Sequence, residues 1–162
     1  MTDDHVSRIQ ADWNRERPEL DVAPIGVIGR LHRLAAALTE ELVAVYAQFG
    51  LTEGEFDVLS ALRRAGAPYE RAPGELAQHT MVTTGAITKR IDRLIDAGFV
   101  TRRQSEVDAR GRVVGLTPAG VAIIDAAVVA HLENERRLLA QLEPTEARTL
   151  EVVLKKWLAA HE

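Results

Sequence analysis

Twenty-six residues hold the densest group of side chains able to do chemistry in this chain. From Ile87 to Arg112 there are seven cations, Lys89, Arg90, Arg93, Arg102, Arg103, Arg110 and Arg112, against four anions, Asp92, Asp96, Glu106 and Asp108. The segment carries +3 while the whole chain carries -4, so the remainder carries -7. Positive charge gathered on one face of an acidic body suits a polyanionic partner, because neutralising phosphates is what gives a protein affinity for nucleic acid. Just before these cations stand Thr83, Thr84 and Thr88, hydroxyls short enough to reach a base edge from the first turns of a helix.

The elements that must hold these groups can be read around them. Between Pro73 and Thr117 the chain runs PGELAQHTMVTTGAITKRIDRLIDAGFVTRRQSEVDARGRVVGLT. Leu76 and Ala77 pack a first short helix, and Thr83 stands where it would cap a second, with Ile87, Ile91, Leu94 and Ile95 as its buried stripe. Gly85, Lys89, Asp92, Arg93 and Asp96 point away from that stripe. FVTRRQS then alternates as a strand, SEVDARG is turn-like and RVVGL returns as a second strand. Two helices and a basic hairpin in this order spell a winged helix-turn-helix. Thr84, Thr88 and Lys89 are placed to contact bases, with Thr83, Arg93 and Arg112 alongside. Arg110 at the hairpin tip is placed to enter a minor groove, with Asp108 holding the loop or that arginine. The bland alternatives are a threonine that only caps and a hairpin that is only solvated.

Further helices flank this lobe. Thr2–Arg17 places Val6, Ile9 and Trp13 at helical spacing, and Pro18 ends it. A long helix from about Pro24 to Phe49 carries Ile28, Leu31, Leu34, Ala35, Leu38, Leu42 and Val45 on one stripe. Thr52 with Glu55 forms a capping box that opens the next helix, through Phe56, Leu59 and Leu62. Thr117–Pro118 opens another, to about Gln141, and Pro144 opens the last, with Leu150, Leu154, Trp157 and Leu158 on one side. The fold class expected is mainly α with a small β-wing: residues 1–50 as N-terminal extension and dimerisation helices, 51–117 as the DNA-binding lobe, and 118–162 as C-terminal dimerisation helices. The two ends supply more apolar helix than the lobe can cover, and a twofold homodimer places two reading helices about 34 Å apart, as a palindrome requires.

Composition excludes other classes. With no cysteine, disulfides, thiolate metal sites and thiol redox switches are out. The polar, acidic start MTDDHVSRIQADW is unlike a signal peptide, and no apolar run nears the roughly 20 residues that span a bilayer, so a cytoplasmic protein without a membrane partner is expected. There is no GxSxG, no phosphate-cradling glycine loop, no HExxH and no carboxylate pair placed for acid and base work, so neither an enzyme nor a cofactor is expected.

The segments LTEGEFDVLSALRRAG, VTTGAITKRIDRLIDAGFVTRR, DARGR and LTPAG resemble the MarR family of transcriptional regulators across nearly the whole chain. The extension bearing Trp13, together with PIGVIGRLHRL and FDVLSALRR, is similar to that family's urate-responsive branch, which includes pectinase-gene regulators. The resemblance implies a homodimeric repressor released from a palindromic operator on double-stranded DNA by a small anionic effector such as urate or another purine. Carried over by position, the branch's ligand residues fall on Trp13, Asp57, Arg64 and Arg90, with Arg102 a weaker candidate. An aromatic surface and a bidentate guanidinium suit a planar anion, and an aspartate facing it supplies repulsion that can move a helix. Each residue also has an ordinary reading: Trp13 as a packing anchor, Asp57 and Arg64 as surface or cap residues, Arg90 as a phosphate contact, and Arg102 in a phosphate or structural role. His32 and His131 lie on expected dimer helices and are candidates for pH sensing. A different aromatic or phenolic effector, or a winged-helix module for protein contact, are the alternatives.

Overall fold

The structure is a computed structural model that describes residues 3–80, 87–104 and 111–161. Its contacts divide the chain into two compact units, residues 1–42 and 43–162, and each is described by itself.

The N-terminal unit pairs α1 (His5–Glu16) with the first part of α2 (Ala23–Ala47). Asp4 caps α1 by accepting from the Ser7 backbone N–H at 2.8 Å. The same carboxylate receives Arg30 from α2 in a two-pronged pair, Nε to Oδ2 at 2.7 Å and Nη2 to Oδ1 at 3.0 Å. Beside it, Val6 is buried where Gly29 leaves room for its methyls. Of the apolar stripe expected on α1, Val6 is buried, Ile9 half-buried and Trp13 exposed.

In the second unit, α3 (Glu53–Arg64) is the central helix, with Val58, Leu59, Ala61 and Leu62 fully buried. The capping box read from Thr52 and Glu55 is present: the Thr52 N–H donates to Glu55 Oε2 at 2.9 Å and the Glu55 N–H to Thr52 Oγ1 at 3.4 Å. Next come α4 (Pro73–His79), with Pro73 in its first turn and Leu76 buried, and α5 (Ile87–Asp96). The wing strands are β2 (Val100–Gln104) and β3 (Arg112–Leu116), antiparallel in a register that pairs Arg102 with Val114.

The sheet has one strand more than the expected hairpin. β1 (Glu70–Arg71) pairs antiparallel with β3, giving the order β1-β3-β2. Two residues between Pro68 and Pro73 are too few to show an alternating pattern, so only the pairing reveals the strand. A second difference is Ile95, which is half-buried where the stripe of α5 had it inside.

The chain leaves the wing through Thr117, whose Oγ1 donates to the Gly98 carbonyl at 2.7 Å and accepts from the Gly120 N–H at 3.0 Å, capping α6 (Pro118–Leu139). Gly120 is required by that junction, since a Cβ there would stand 2.0 Å from the Phe99 carbonyl oxygen. α6 packs on α3 through Ile124 and Ala127, both fully buried, and α7 (Pro144–Leu158) completes the unit.

Candidate nucleic-acid interface and effector groove

The stripe Ile87, Ile91 and Leu94 buries α5 in the lobe, which leaves Thr88, Lys89, Asp92 and Arg93 exposed on the other side. Burying three side chains of this size is worth several kcal/mol, enough to fix the helix's rotation and therefore which residues face outward. Two further contacts brace it. Arg102 of β2 donates Nη2 to Asp92 Oδ1 at 3.0 Å, tying wing to helix, and Arg93 Nη1 lies 3.9 Å from Glu55 Oε1 at the start of α3. Glu55 is buried and already accepts from the Thr52 N–H, so it holds a cap and steadies Arg93 with one carboxylate.

The wing is braced in turn. Arg103 donates Nη2 to Glu70 Oε2 at 2.7 Å and Nε to Oε1 at 3.1 Å, joining β2 to β1 across β3. Arg112 opens β3 and is exposed. Thr83 and Thr84, expected on the recognition helix, and Asp108 and Arg110, expected at the wing tip, lie outside the described residues. Among the DNA-facing candidates the structure therefore brings Thr88, Lys89 and Arg93 onto one exposed helix face and puts Arg112 on the adjoining wing.

The four ligand candidates fall in both units. Trp13 is on α1 in the N-terminal unit, 47% exposed. In the second unit Asp57 and Arg64 stand two turns apart on one side of α3, and Arg64 donates Nη2 to the His79 carbonyl at 3.0 Å, anchoring the end of α4. Arg90 is half-buried, packed over Gly54 in the first turn of α3, and its Nη1 is buried with no hydrogen-bond partner among the described residues. Arg102, by its pairing with Asp92, has a bracing role.

Between α3 and α6 runs an open groove of about 520 Å³ lined by Phe56, Ser60, Arg63, Arg64, Asp125, Val128, Val129, His131 and Leu132. One wall is apolar and the rim is charged: Arg63 donates Nε to Asp125 Oδ1 at 2.8 Å. Ser60 is buried, and its Oγ has no partner among the described residues, an unmade hydrogen bond facing a cavity. His131 shares its Nδ1 with Tyr46 Oη at 3.2 Å, and its Nε2 lies 3.2 Å from Glu135 Oε1. Tyr46 stacks on Phe56 with ring centres 4.2 Å apart. Burial first, then the charges of Glu53, Glu135 and Asp57, push the Tyr46 phenol up to about 12. Of this groove the sequence alone points to Arg64 and, for a different role, His131. Ser60 and Phe56 read as ordinary helix residues, and the signal that could have found Ser60 is a lone hydroxyl in the otherwise apolar run VLSAL. His32, the other histidine considered for pH sensing, is exposed on α2.

The chain matches the model of the MarR family over residues 49–111. Over 149 residues it is 39% identical to the HTH-type transcriptional regulator PecS of Dickeya dadantii, an alignment covering 92% of this chain and 90% of PecS. Its fold resembles that of a mutant Escherichia coli MarR complexed with operator DNA, with a TM-score of 0.71 and 30% identity over 90% of this chain and 97% of the other. It also resembles Bordetella bronchiseptica BpsR, whose DNA binding is regulated by 6-hydroxynicotinic acid, with a TM-score of 0.65 and 25% identity over 80% and 97%.

Proposed function

The chain belongs to the MarR family of DNA-binding transcriptional regulators, which are not enzymes, and on that premise we propose that it is a homodimeric repressor whose α5 reads a palindromic operator and whose release is triggered by a small planar anion such as urate. The observation that carries the DNA reading is the orientation of α5, where a fully buried apolar stripe turns Thr88, Lys89 and Arg93 outward beside a braced wing. The division into N-terminal helices to residue 50, a lobe of 51–117 and C-terminal helices from 118 belongs to the same proposal, the outer helices serving the dimer.

For the effector, Trp13, Asp57, Arg64 and Arg90 are the residues proposed to hold it, Arg90 being the one whose movement would reach the recognition helix. A second reading, an aromatic or phenolic acid other than a purine, is favoured by the α3–α6 groove, where an apolar wall, the Ser60 hydroxyl, without a partner among the described residues, and Arg64 would meet a ring, a polar substituent and a carboxylate. BpsR's response to 6-hydroxynicotinic acid supports the same chemistry.

The test is a mobility-shift titration on the promoter fragment of the protein's own gene, repeated with urate, xanthine and 6-hydroxynicotinic acid, on wild type, W13A and S60V. Urate should release wild type and fail on W13A. Release of both variants by urate removes Trp13 from the site. Release by the nicotinic acid alone, lost in S60V, selects the groove.

A further inference from the structure

Gly54 is the second residue of α3, and the space its missing side chain leaves is filled by a cation. A Cβ built there would stand 2.2 Å from Nε, 2.4 Å from Cζ and 2.8 Å from Cδ of Arg90, all inside van der Waals contact, so the head of Arg90 lies across the backbone of the helix's first turn. This is a poor place for positive charge. The first turn presents unpaired N–H groups and the positive end of the helix dipole, and Arg90 Nη1 is buried there without a partner among the described residues. Glu53 and Glu55 in the same turn offset part of that cost. Along α5 the adjacent cations Lys89 and Arg93 are exposed, so Arg90 alone of the three is turned inward.

We propose that Gly54 is a positioning residue that parks Arg90. The glycine makes the seat, the seat holds the guanidinium against α3 and away from DNA phosphates, and the recognition helix meets DNA with one cation fewer than its sequence carries. The inference rests on DNA binding alone and is independent of which effector acts.

A methyl group at position 54 would distinguish this from a merely structural glycine. The clash is with a movable side chain, and alanine is the better helix former, so G54A should fold with an unchanged or higher Tm while Arg90 is released to the face that carries Lys89 and Arg93. One added phosphate contact in each subunit of a dimer steepens log K against log salt by about 1.8, which makes the loss of affinity between about 50 and 200 mM salt about 12-fold greater than in wild type.

The experiment measures binding of the full-length protein to a short random-sequence duplex by fluorescence anisotropy across a salt series, for wild type, G54A, R90Q and G54A/R90Q, with Tm measured for each. Expected are a slope steeper by about 1.8 in the G54A dimer, the wild-type slope in R90Q, and no steepening in the double variant. A slope shallower by about 1.8 in R90Q would mean that Arg90 already sits on phosphate in both subunits and would overturn the proposal. So would a G54A slope equal to wild type, equal steepening in the double variant, or a lower Tm for G54A, which would place the clash in the backbone.

Discussion

Two amphipathic helices of the same unit, α5 and α7, end in opposite states. α5 buries Ile87, Ile91 and Leu94 inside its own chain, leaves Ile95 half-buried, and exposes only polar and charged groups. α7, half as long again, buries none of its residues and exposes Leu150, Val152, Val153, Leu154 and Leu158, with Val152 67% accessible. A helix whose apolar stripe is satisfied at home is held in one rotation and is free to use its polar face. A helix whose apolar side meets only water is unfinished, and a contiguous patch of that kind calls for a partner surface. A second copy of the chain is the occupant consistent with the family and with the twofold geometry a palindrome needs.

The contrast predicts where damage will act. The largest effect is expected from L154D on α7: a carboxylate in the proposed dimer face should leave a 17.8 kDa monomer in light scattering and lower promoter affinity by at least about 100-fold, or about 3 kcal/mol. A dimeric L154D would move the interface elsewhere. I91A, on the finished helix, should instead cost about 2–5 kcal/mol and at least about 5 °C in Tm through the cavity left behind, in a shift that does not depend on protein concentration. K89A should fold normally and weaken promoter DNA more than random DNA, since Lys89 is placed to contact bases; equal weakening of both would make it a phosphate contact instead.

The smallest effect concerns pH. The Tyr46 phenol is raised in the folded protein, so it keeps its proton after the unfolded chain has lost it. Its contribution is therefore complete below the ordinary tyrosine value of about 10 and lost as pH rises from there to about 12. Y46F should flatten the decline of Tm over that window, and an identical decline in Y46F would place its origin in another group.

Much of this was legible because local signals are strong where chemistry is local. Thr52 and Glu55 announce the start of α3, Thr117 and Pro118 that of α6, and the spacing of Ile87, Ile91 and Leu94 gives both the helix and its buried side. What stayed hidden depends on contacts between residues distant in sequence. Glu70 is a strand residue only because Gly115 of β3 lies opposite it. Gly54 becomes a seat only because Arg90, thirty-six residues later, lies over it. The α3–α6 groove joins Ser60 to His131 by packing that no periodicity records. Asp92, read as one more outward-facing charge on the recognition helix, is the partner of Arg102 and so links wing to helix.

The most direct test of α5 as a reading helix is the affinity of wild type and K89A for the fragment upstream of the protein's own gene, measured across a salt series beside a random duplex. A specific complex whose log K falls linearly with log salt is expected, and in K89A a smaller preference for the upstream fragment over the random duplex. Equal affinity for both duplexes, or binding indifferent to salt, would contradict the assignment of α5 as a reading helix.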